Sequence, residues 1–140
     1  MLRVYRGELM HFLADPAKVA LEESYQYFED GLLIIKDGLV EQVGDAAELL
    51  PTLDKGVEVT HYENGLMMPG FIDTHVHYPQ TEMIASYGEQ LLEWLENYTF
   101  PFERKFFDFE HGKSVAEFFI SQLLEAGTTT ALVFGTVHKE

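Results

Sequence analysis

Apolar positions along this chain of 140 residues recur with two different periods, and the period changes near the middle. In the first half the apolar runs are short and of β type. Leu32 to Ile35 and Leu39 to Val43 flank Asp37-Gly38, a dipeptide that supplies the positive φ angles of a two-residue hairpin turn. Val4 to Leu13 and Val57 to Tyr62 read as further strands, and Asp45 to Leu50 as a brief capped helix ended by Pro51. Turn punctuation at Asn64-Gly65 and Pro69-Gly70 then interrupts the pattern and marks a boundary.

Beyond that boundary the order is strand, helix, strand. Phe71 to His77 is a strand launched by Pro69-Gly70, and Thr128 to Phe134 is rich in β-branched and apolar residues, as a strand buried on both faces should be. Between them Ser114 and Glu117 have capping-box spacing, Val115, Phe118, Phe119, Gln122 and Leu123 recur at helical spacing, and Gly127 sits where a left-handed cap belongs. This order predicts a parallel pair joined by a right-handed crossover, the repeating unit of α/β proteins.

The stretch 78–112 is far longer than an ordinary connection of about 2 to 6 residues, and long insertions after a barrel strand usually serve function. Within it Ser86 and Glu89 have the spacing of a second capping box. Leu91, Trp94, Leu95 and Tyr98 share one helical face up to Pro101, which is expected to stop the helix. That aromatic stripe reads first as core, with a pocket wall as the lesser alternative, and no site is assigned to it.

Composition narrows the class. Hydrophobic residues at 46% and charged residues at 24% describe a folded chain able to bury a core. A formal net charge of -15 argues against nucleic acid or an anionic membrane as the main partner, since both demand clustered Lys and Arg. No apolar run has the length of a signal peptide's core or of a membrane span, so a cytoplasmic location is the default expectation. The absence of cysteine excludes disulfide scaffolds, thiol nucleophiles and Cys-ligated zinc, leaving His, carboxylate or water to hold any metal.

His75 and His77 are one residue apart, so on a strand both imidazoles leave the same face and one metal ion can reach both. Such a pair alone is a weak signal. It gains weight at the C-terminal end of an apolar strand, where barrel enzymes place their chemistry. Asp73 shares the parity of both histidines and serves equally well as an orienting carboxylate or as a strand-end cap bonded to backbone. His138 follows the second strand without a partner motif, and His11, His61 and His111 lack ligand spacing.

The run Pro69-Gly70-Phe71-Ile72-Asp73-Thr74-His75-Val76-His77 resembles the opening motif of the amidohydrolase superfamily, whose first barrel strand carries two metal-binding histidines. Tyr78-Pro79-Gln80-Thr81, Tyr87 to Leu95, Tyr98-Thr99-Phe100-Pro101 and Glu125 to Thr130 resemble the guanine deaminases within it. The resemblance spans the whole chain, and the part from Pro69 to Thr130 is diagnostic.

It implies an α/β fold: the start of a TIM-type (β/α)8 metal-dependent hydrolase barrel preceded by part of a small β-sandwich. Residues 1–67 would form the N-terminal part of a composite sandwich domain. Residues 68–140 would supply the first two strands and first helix of the barrel, with the insertion at 78–112. It further implies one Zn2+ per subunit held in part by His75 and His77, a purine substrate whose edge Gln80 binds, and a homodimer. The implied reaction is hydrolytic deamination of guanine to xanthine and ammonia, a step of purine catabolism. No catalytic acid/base residue falls within the chain, and the expected glutamate and remaining ligands would lie beyond Glu140. On this reading the 140 residues are the N-terminal part of a longer enzyme and are inactive alone. Two alternatives stay open at this point: another amidohydrolase acting on a C-N or C-Cl bond of a nitrogen heterocycle, and a non-enzymatic β-rich interaction module with structural histidines.

Overall fold

A computed structural model describes residues 1–88 and 90–138. The chain divides into two compact units, Met1–Pro69 and Gly70–Glu140.

The first unit is built on a four-stranded sheet. Its strands are β1 (Leu2–Phe12), β2 (Tyr25–Lys36), β3 (Leu39–Asp45) and β4 (Val59–Met67), in the order β3-β2-β1-β4. β2 pairs antiparallel with β1 and β3, whereas β4 lies parallel to β1. The predicted hairpin is present. Asp37 and Gly38 have φ angles of 54° and 85°, the paired positive values that let a two-residue turn follow the right-handed twist of its strands.

The boundary signal at Asn64-Gly65 has another outcome. β4 runs through it to Met67, and the register against β1 jumps from Gly7 opposite Tyr62 to Glu8 opposite Leu66. The turn residues thus bulge out of a strand that continues, because pairing to β1 on both sides overrides the local preference. The helix after β3 is α2 (Ala46–Leu49), and Asp45 Oδ1 caps it by accepting from the Ala47 amide at 2.8 Å. Pro51 does not end this segment, which continues as a 3-10 turn over Leu50–Thr52, where a residue without an amide hydrogen is tolerated in the first turn.

Sheet alternation places Val4, Leu32 and Ile34 on one face, and Val4 lies opposite Ile34 in the ladder. These three and Ala46 form the buried core, against which Leu49, Leu50, Leu53, Val57 and Val59 pack. Complete burial of a side chain such as Leu32 stabilises by about 1.5 to 3 kcal/mol. A short helix of four residues, α1 (Leu21–Ser24), precedes β2.

The second unit carries β5 (Phe71–His77) and β6 (Thr128–Phe134), parallel neighbours with His77 opposite Phe134, joined through α5 (Phe109–Glu125). Both strands and their parallel pairing match the sequence expectation. Burial of β6 on both faces does not: Leu132, Val133 and Phe134 are exposed among the described residues. Close approach of the strands explains the Pro-Gly start, since a methyl group at Gly70 would collide with the Thr129 side chain.

The capping box at Ser114 and Glu117 is corrected. The cap lies six residues earlier, where Asp108 Oδ1 accepts from the Glu110 amide at 3.0 Å and the His111 amide at 3.4 Å. An aspartate ahead of three free amides is a cap in its own right, and Ser114 falls inside the helix. Gly127, with φ of 79°, ends it as expected.

Most of the described residues of the insertion are helical. A 3-10 segment spans Tyr78–Met83. α3 (Leu91–Trp94), a π turn over Leu95–Thr99, α4 (Phe100–Arg104) and a 3-10 turn over Lys105–Phe107 then follow without interruption. Pro101 therefore does not stop the helix. The wider π turn just ahead of it, in which the Phe100 amide donates to Leu95 O, accommodates a ring that would clash in a regular α-turn. Ser86 does not cap α3, whose cap position is Gln90; Glu89, the other half of that expected box, lies outside the described residues.

Candidate metal and substrate site

β5 fixes the two histidines by its pleat. Residues 75 and 77 leave the strand on one face, and their Nε2 atoms lie 3.0 Å apart. Phe134 sits beneath both rings, with centroids 4.7 Å from His75 and 4.9 Å from His77. This contact follows from the parallel register, which sets His77 beside Phe134 at matching strand ends. The residue pattern alone does not single out Phe134, because the contact depends on the register of β6 against β5.

Asp73 takes the second of its two expected roles. Its Oδ1 accepts from the His75 backbone amide at 2.9 Å, so it shapes the strand end instead of orienting an imidazole. The polar side chain beside the His77 ring is Gln80, whose Nε2 lies 3.4 Å from His77 Nδ1, placed there by the 3-10 segment that follows β5 directly.

That segment is firmly held. Pro79 and Met83 are buried, and Thr81 Oγ1 donates to Tyr78 O at 2.7 Å. The Tyr78 ring packs edge-on to Phe106 at 5.0 Å while its hydroxyl donates to Gly112 O at 2.5 Å. Burial pushes the Tyr78 phenol above its ordinary value of 10.0, which keeps it protonated as the donor in that bond.

His75, His77 and Gln80 open onto one cleft of about 550 Å3, shared with Ile84, Ser86 and Trp94. Trp94 thus lines the cleft. Within its stripe Leu91 is largely exposed, whereas Trp94, Leu95 and Tyr98 are half-buried. Helical spacing alone cannot separate a core face from a cleft face, and only the long insertion hinted at the difference.

Within the second unit, His111 and His138 do not line this cleft. His111 Nε2 lies 3.1 Å from Glu82 Oε2 but out of line for a hydrogen bond, and Glu82 is also 3.8 Å from Lys105 Nζ. The His138 amide donates to Thr136 Oγ1 at 3.0 Å, beside the Phe107 ring. His11 bonds Gln26 at 2.9 Å in the first unit.

The paired Nε2 atoms suit a metal. At zinc–nitrogen bonds of 2.0 to 2.1 Å, two imidazoles on a tetrahedral ion have nitrogens about 3.3 Å apart, close to the separation seen here. Without an ion, two neutral rings at 3.0 Å need one nitrogen to carry the proton and the other to accept it, because two lone pairs facing each other repel. Three or more His, Cys, Asp or Glu do not converge on any point among the described residues, so this pair alone would not complete the coordination of an ion.

The chain is similar to known proteins. The amidohydrolase family model matches residues 66–140. The guanine deaminase of Escherichia coli (strain K12) is 46% identical over 142 residues, an alignment covering 99% of this chain and 32% of that protein. The solved structure of E. coli guanine deaminase superimposes with a TM-score of 0.88 at 45% identity, covering 97% of this chain and 32% of the other. That of guanine deaminase from C. acetobutylicum with bound guanine in the active site gives 0.78 at 26% identity, covering 99% and 31%. The chain spans about a third of the length of the relatives it matches. The strand-helix-strand unit shares the α/β fold of those structures, and with more than half of its residues under the family model, the chain belongs to the amidohydrolase family.

Proposed function

We propose that this chain is the N-terminal part of a longer zinc-dependent enzyme that hydrolyses guanine to xanthine and ammonia. The supporting observation is the convergence of His75 Nε2 and His77 Nε2, 3.0 Å apart, on a cleft that also holds Gln80. The likeness to guanine deaminases over nearly all of the chain supplies the substrate. On this reading Gly70 to Phe134 provides the first two strands and first helix of a TIM-type barrel, and the four-stranded sheet is part of a composite β-sandwich.

His75 and His77, with ligands from the rest of the enzyme, would hold the zinc, which when bound would supply a hydroxide-strength nucleophile near neutral pH. The residues of this chain prepare the site for it. Each histidine must present an unprotonated Nε2, which requires the proton on Nδ1. In the structure Gln80 Nε2 faces His77 Nδ1 at 3.4 Å; with the amide flipped, its carbonyl oxygen would accept from Nδ1–H and leave the Nε2 lone pair free for the metal. The remaining amide nitrogen of Gln80 is then a donor to an acceptor on the purine edge. The acid/base carboxylate that moves protons to the leaving nitrogen belongs to the rest of the enzyme, as do further metal ligands. Such an enzyme holds one zinc per subunit of a homodimer.

The test is a substrate panel on the intact protein. Release of ammonia from guanine with xanthine as the second product, and preference over adenine, cytosine and triazines, supports the proposal. Turnover of another ring C-N or C-Cl bond in place of guanine would replace it.

A further inference from the structure

Trp94 and the segment Ile84–Gly88 are joined more tightly than their sequence suggests. The Trp94 indole Nε1 donates to Ser86 O at 3.1 Å. A methyl group at Gly88 would fall 2.7 Å from Trp94 Cβ and 2.8 Å from its Cγ, so the backbone there can lie on the indole only because residue 88 is glycine. The near end of the segment is tied to a fixed point, the Ser86 amide donating to the carbonyl of buried Met83 at 3.0 Å.

Between these ties Ala85 takes φ of 65°, a left-handed conformation that costs a non-glycine residue roughly 1 kcal/mol and must be held by its surroundings. Apolar burial does not hold it, since Ile84 is 78% exposed. Ile84, Ala85, Ser86 and Trp94 all line the cleft that receives His75, His77 and Gln80.

We propose that Trp94 is a positioning residue for substrate: by bonding Ser86 O and seating Gly88, it latches Ile84–Gly88 as one wall of the cleft and so sets the fit of a planar heterocycle beside the histidine pair. The substrate named here rests on the guanine reading above. The latch itself rests only on the contacts within this segment. Indole suits the task because it is a large, stiff ring with a single donor, which fixes both position and direction.

Two variants of the intact protein test it, Trp94→Phe, which keeps a ring and removes the donor, and Gly88→Ala, which wedges the segment off the indole. Amide hydrogen exchange over residues 84–88 should quicken about five-fold in each, the factor corresponding to one net hydrogen bond. KM for guanine should rise at least about five-fold for the same reason, with kcat within about two-fold and zinc content unchanged. Unchanged exchange in both variants overturns the latch. Faster exchange at constant KM overturns the wall, and parallel collapse of kcat and zinc content would make Trp94 merely structural. If the wild-type protein does not turn over guanine, the substrate reading fails, and exchange over residues 84–88 alone decides the latch.

Discussion

His75 Nε2 and His77 Nε2 face each other at 3.0 Å on one side of β5, over the ring of Phe134. Two donors brought this close by strand pleat alone require no loop to order before a cation binds. Substituting either histidine by alanine in the intact protein is expected to remove zinc. Activity should fall at least about 1,000-fold, because the nucleophile loses the several units of pKa lowering that the ion provides.

Gln80 touches His77 and opens to the cleft, so its replacement should affect both metal and substrate. Gln80→Leu is expected to weaken zinc affinity about 10- to 100-fold, as loss of an orienting partner does, and to raise KM for guanine as well. Gln80→Glu, which can still accept from Nδ1–H, should recover most of the zinc affinity and little of the KM. Metal titration beside steady-state kinetics separates the two effects.

The start of α5 gives a test of stability. Asp108 accepts from two free amides, whereas Ser114 lies inside the helix. Asp108→Ala should destabilise by about 1 kcal/mol, the usual worth of a helix cap, and Ser114→Ala by less than about 0.5 kcal/mol. Urea denaturation of the two variants measures the difference. Equal effects would restore the capping box.

Acid should act on the first unit through Asp30. Two hydrogen bonds from Arg6, at 2.7 and 2.6 Å, hold the Asp30 carboxyl below its ordinary value of 3.8. A depressed carboxylate contributes stability that is present above the unfolded value and lost as pH falls through the folded one. Wild-type protein should therefore lose stability below about pH 4 through this group, and Asp30→Asn should show a shallower acid slope. The urea midpoint followed from pH 6 to pH 3 checks this. The difference should be small, as for exposed ion pairs in general.

Much of this architecture is legible in the residues, and the exceptions share a cause. β5 and β6 could be placed because Pro69-Gly70 and Gly127 punctuate strands whose apolar texture is local. The Asp37-Gly38 turn is equally local. Asn64-Gly65 and Pro101 misled because the outcome there depends on partners: pairing with β1 carries β4 through the first, and a π turn absorbs the second.

The same division holds for the site. Strand parity is enough to bring His75 and His77 together. Phe134 needs the register of β6, and Trp94 needs the path of the insertion, neither of which a linear pattern contains.

In the intact protein His75 and His77 are expected to ligate one catalytic zinc. X-ray absorption at the zinc edge of the intact protein, together with metal content of the His75→Ala, His77→Ala double variant, measures it directly. The expected result is zinc–nitrogen scattering at 2.0 to 2.1 Å in the wild type and less than about a tenth of the metal in the double variant. A double variant that keeps stoichiometric zinc and turns over guanine would contradict the account.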